Sequence, residues 1–122
     1  MGYQELIDFM QRKAGFTYTE AEEVLDLMVE SISERLGEYE REDFARLLPI
    51  ELQEAVYSAE TSTTEELEQD FVHEFMDKEG IEEIEASKQV ITAWETLKSI
   101  ITDVDIQRLK AQLPSKAAAS LQ

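Results

Sequence analysis

The chain has 122 residues with no cysteine, two prolines and four glycines, and its 28 acidic side chains against 11 basic ones leave a net charge of −17. That length suits one domain with its own core, while the missing cysteines exclude disulfide frameworks, zinc ribbons and thiol nucleophiles. The negative field argues against nucleic acid and anionic membranes as partners, and no apolar run approaches the roughly 20 residues of a membrane span.

In chain order, Leu6, Ile7, Phe9 and Met10 form an apolar stripe that predicts a short helix, closed by Gly15 in a left-handed turn. Glu5 and Asp8 in this stretch are unlike a signal peptide, so a cytoplasmic protein is expected. Ala21, Val24, Leu25, Met28, Ile32 and Leu36 then recur at helical spacing and make the second helix amphipathic, with Gly37 expected to end it as Gly15 ends the first. A third helix over about 40–48 faces Phe44, Leu47 and Leu48 inward. A fourth starts at Pro49, whose missing N–H costs nothing in a first turn, and carries Leu52 and Val56.

The polar run 58–64 reads as a linker. Beyond it, a helix over about 65–79 carries Leu67, Phe71, Val72, Phe75 and Met76 and stops at Gly80. The next, over about 82–101, has Ile84, Val90, Ile91, Trp94, Leu97 and Ile101 as its apolar set. Another follows Thr102 and Asp103, which suit a helix start, and 115–122 reads as a frayed extension. The expected fold is all-α, a single bundle of about six to eight helices over residues 1–122.

Slid by 65 residues, Gly15, Glu20, Ala21, Glu30, Leu48 and Pro49 fall on Gly80, Glu85, Ala86, Glu95, Leu113 and Pro114, and Phe9-Met10 falls on Phe75-Met76 one residue further along. The bundle is therefore expected to hold two pseudo-repeats, about 3–57 and 65–122. Phe-Met, a glycine turn, Glu-Ala opening a long helix and the closing Gln112-Leu113-Pro114 together resemble the bacterial domain-of-unknown-function 2267 family. In the first half Leu47 stands where the glutamine would be. The resemblance implies a small all-helical bacterial protein built from a duplicated unit, and it brings no catalytic or binding residues with it.

His73 is the only histidine, so any base tuned near neutrality must be that residue. Asp70, His73 and Asp77 share a helical face at i, i+3 and i+7, the spacing of a metal-ligating candidate, but there is no second histidine of the kind di-metal bundles need. A half-exposed histidine among surface acids is the preferred reading. The acidic clusters sit at helix starts, where the dipole favours them, and none has the alternation of a calcium loop. No catalytic constellation or cofactor motif is present, and no cofactor is expected.

Tyr3, Phe16, Tyr18, Tyr39 and Tyr57 lie near helix ends or turns, where amphipathic rings serve as interface anchors. The expected function is non-enzymatic: an acidic helical module, monomer or homodimer, that binds another protein. An acidic decoy mimicking nucleic acid for a basic partner is the alternative, and metal binding through His73 the lesser one. The first 61 residues hold 15 acidic and 5 basic side chains and the rest 13 and 6, so both halves share the charge.

Overall fold

The computed structural model describes residues 2–60 and 69–121, and among them every element is helical and none is a strand. The helices are α1 (Tyr3–Ala14), α2 (Tyr18–Glu34), α3 (Glu38–Arg46), α4 (Ile50–Ser58), α5 (Phe71–Glu79), α6 (Glu83–Lys98), α7 (Asp103–Gln112) and α8 (Ser115–Ala119). No helix among the described residues is long and apolar enough to cross a membrane. Most of the expected linker, and the start of the helix expected from residue 65, lie outside the described residues.

Local chemistry sets the boundaries. Gly15 (φ 72°) and Gly80 (φ 64°) close α1 and α5 in the left-handed conformation, each N–H donating at 2.9 Å to the carbonyl of Gln11 or Met76. Gly37 does not repeat this: at φ −74° it caps the start of α3, and α2 ends at Arg35 without a left-handed residue. Its lack of a side chain serves a close approach instead, because the Glu40 carboxylate accepts the Gly37 N–H at 2.8 Å and would lie 3.3 Å from an added Cβ. Thr17 and Glu20 form a reciprocal capping box at the start of α2. Within the described part of the helix expected over 65–79, the helix starts at Phe71 and residues 69–70 are not helical, because the Asp70 carboxylate accepts the His73 N–H at 2.8 Å and caps the helix there. Pro49 and Pro114 stand at the starts of α4 and α8.

Among the described residues the core is one cluster drawn from all eight of their helices, with Phe44, Phe71, Phe75, Leu6, Leu25 and Leu97 among its fully buried members. Burying each such side chain contributes roughly 1.5–3 kcal/mol. The long helices α2 and α6 lie at its centre in mutual contact; α1 packs on both, α5 also packs on both, α4 covers α2, and α3 packs on α4. The short helices α1 and α5 therefore each bridge the two long ones. The tail expected to fray instead folds back, with Ala117 and Leu121 buried. Two expected apolar positions depart from the pattern: Ile84 and Ile91 point outward, 85% and 55% exposed, while Val90, Trp94, Leu97 and Ile101 are buried.

Candidate functional site

The helix-start geometry of α5 brings Asp70 and His73 together. The Asp70 carboxylate that caps the helix also lies 2.8 and 3.0 Å from His73 Nδ1, and this contact holds the histidine pKa above its ordinary value. Asp77 is not drawn into the pair; its carboxylate accepts Gln69 Nε2 at 2.8 Å. Among the described residues no group of three His, Asp or Glu side chains is placed to hold a metal ion.

The five aromatic candidates separate clearly. Phe16 is 5% exposed and belongs to the core, so it is no surface anchor. It immediately precedes the Thr17 cap, with Ala21 four residues into α2; apolar residues at these two positions staple a helix entry, which explains why Phe16 turns inward. Tyr3 is half-buried against the core and donates its hydroxyl to Glu22 at 3.1 Å; burial and that carboxylate both raise its pKa. Tyr18 lies on the surface and donates to Gln4. Tyr39 and Tyr57 are well exposed.

Around Tyr3 the surface is acidic. Asp26, half-buried on α2, has its pKa pushed up to about 6, first by burial and then by Glu30, Glu22 and Glu54. Three helices converge there: α1 supplies Tyr3, α2 supplies Glu22, Asp26 and Glu30, and α4 supplies Glu54. The charges come from a helix face that turns one carboxylate outward per turn.

A polar centre invisible to motif reading lies inside the bundle. Arg35, fully buried at the end of α2, reaches Glu74 Oε1 at 3.2 Å and donates to the carbonyls of Ser31 (2.7 Å) and Gln69 (2.8 Å), with its guanidinium 4.5 Å above the Phe71 ring. Burial raises the Glu74 pKa, opposed by Ser31 and Arg35. Lys78 flanks the pair, 2.7 Å from Glu34 and 3.9 Å from Glu74. A second arginine, Arg41 on α3, donates to the carbonyls of Ser33, Ala59 and Glu60. The two arginines hold the chain on either side of residues 61–68.

Comparison with known proteins adds one finding: the model of a family described as an uncharacterized conserved protein, DUF2267, matches residues 3–120. The chain belongs to the DUF2267 family. No curated protein and no solved structure matches it. The DUF2267 match spans every helix described above. Within this DUF2267 chain, the Arg35–Glu74 centre had a readable signal, since Arg35 falls between Ile32 and Leu36, and Glu74 between Phe71 and Phe75, on faces that are otherwise apolar.

Proposed function

We propose that this protein is a non-enzymatic, acidic interaction module of the cytoplasm that binds another protein through the outer face of α4. The observation that carries the reading is the placement of Ile50 and Tyr57, 78% and 60% exposed and seven residues apart on one helix face, with Glu54 between them. Apolar side chains aligned in this way cover little of their own core and suit insertion into a partner's pocket. Glu51 and Glu54 on α4, together with the carboxylates around Asp26, give that face an anionic rim and favour a partner with basic residues around an apolar centre. Tyr39, 83% exposed on the adjoining α3, extends the available aromatic surface. The polar side chains further support a binding role, because His73, Tyr3 and Arg35 are each engaged by neighbouring groups within the fold.

The reading includes a duplicated origin for the module. Left-handed Gly15 and Gly80, the prolines opening α4 and α8, and the shared helix order in the two halves support it.

A partner isolated from the host is expected to lose on the order of tenfold or more in affinity for the Ile50→Ser/Tyr57→Ser protein, with far-UV circular dichroism unchanged. Unchanged affinity removes α4 from the interface. Nucleic-acid mimicry is a second reading, favoured by the carboxylate cluster around Asp26. It requires binding that weakens steeply with salt and survives loss of the two anchors, whereas the α4 reading requires the anchors at any salt concentration.

A further inference from the structure

The outer face of α6 differs from the rest of this acidic surface. α6 is buried nearly all round, and its outward stripe runs Ile84, Lys88, Ile91, Glu95 and Lys98, spaced alternately by four and three residues. Beside it lies a groove of about 470 Å³, walled by Val72, Ile91, Trp94 and Leu121. Thus two isoleucines and two of the chain's eleven basic residues share one line on a helix about 24 Å long.

The corresponding face of the first half is built differently. Subtracting 65 from Ser87, Ile91, Glu95 and Ala119, which line the groove, gives Glu22, Asp26, Glu30 and Glu54. These are the four carboxylates that crowd one another around Asp26. One face is therefore apolar with charges of both signs, and its counterpart is uniformly negative.

We infer that a second copy of this chain docks on the α6 stripe, α6 against α6 in antiparallel orientation, as a two-fold dimer. Charge complementarity selects this occupant. An antiparallel crossing centred between Ile91 and Thr92 puts Lys88 opposite Glu95 of the second copy, and two-fold symmetry makes this pair twice. The Ile91 side chains meet at the middle. Lys88 and Glu95 also have contacts within the chain, Lys88 over the Phe16 ring at 5.3 Å and Glu95 facing Lys13 at 3.9 Å, and neither is buried. Elsewhere two copies with a charge of −17 each repel. The carboxylates on the α2 face keep the equivalent surface from pairing, so association stops at two copies instead of running on into a chain of molecules.

Sedimentation equilibrium of the full chain at neutral pH and about 100 μM tests this. The expected mass is twice 14.0 kDa for the wild type and 14.0 kDa for Ile91→Glu. Lys88→Glu and Glu95→Lys each weaken the dimer on the order of tenfold, and the two together restore it, because the swapped charges again face each other. These charge variants keep the test independent of any packing defect at position 91. A monomeric wild type, a dimer that survives Ile91→Glu, or a double swap that restores nothing would overturn the proposal. It does not rest on the α4 face: Ile91→Glu removes the dimer and leaves α4 binding intact, and Ile50→Ser/Tyr57→Ser does the reverse.

Discussion

Replacing Arg35 with methionine removes a guanidinium whose side chain is fully buried, and it leaves three acceptors without their donor: Glu74 Oε1 and the carbonyls of Ser31 and Gln69. Methionine fills most of the volume and keeps contact with Phe71, so the loss is electrostatic. Lys78, 3.9 Å away on the other carboxylate oxygen, offsets little of it. Breaking a buried ion pair from one side costs about 3–5 kcal/mol, a fifth or more of the roughly 5–15 kcal/mol that holds a domain of this kind folded. The double variant Arg35→Met/Glu74→Leu removes both charges together and is expected to return to within about 1 kcal/mol of the wild type or to exceed it. Guanidinium unfolding followed by fluorescence of the buried Trp94 and by far-UV circular dichroism measures both. The single variant should recover stability as pH falls through the raised pKa of Glu74, because a neutral carboxyl no longer needs the arginine. A cost below about 1 kcal/mol for Arg35→Met, or a double variant no more stable than the single, would refute the reasoning.

Asp26→Asn should stabilise the protein at pH 7. The folded pKa of Asp26 lies near 6 against 3.8 unfolded, so its ionisation destabilises the fold as pH rises through that window, and the advantage of asparagine disappears near pH 4. After solvent screening of this half-exposed group the gain is about 1 kcal/mol, read as a shift in urea midpoint; a loss of stability at pH 7 contradicts it. The His73 ring should titrate above the ordinary histidine value by NMR and fall towards it in Asp70→Asn. Asp70→Ala also removes the α5 cap and costs about 1 kcal/mol. Gly15→Ala and Gly80→Ala each force a side chain into left-handed backbone and cost about 1–2 kcal/mol, while Gly37→Ala, at φ −74°, costs less than either; equal costs at all three count against the assigned turns.

Much of the bundle is legible as punctuation and period. Gly15, Gly80, Pro49 and Thr102 mark helix ends by chemistry local to the chain, and the stripe from Ala21 to Leu36 fixes which face of α2 is inside. The departures arise where one residue type serves two local purposes. Gly37 reads as a stop and works as a start, because the deciding partner is Glu40 three residues on. Val90 and Ile91 are equally apolar neighbours about 100° apart on a helix, so sequence alone does not assign one of them to the surface; packing of α6 against α1, α2 and α5 does. Arg35 and Glu74 are charged residues on apolar faces, 39 positions apart, and their pairing depends on how α2 meets α5.

The most direct test of the binding role is site-specific photo-crosslinking in the host. With p-benzoylphenylalanine in place of Tyr57, the protein should capture one discrete partner of a different sequence, while the same probe in place of the exposed Glu82, away from α4, should capture none. The absence of a discrete adduct at position 57, or the same adducts from both positions, would contradict the account.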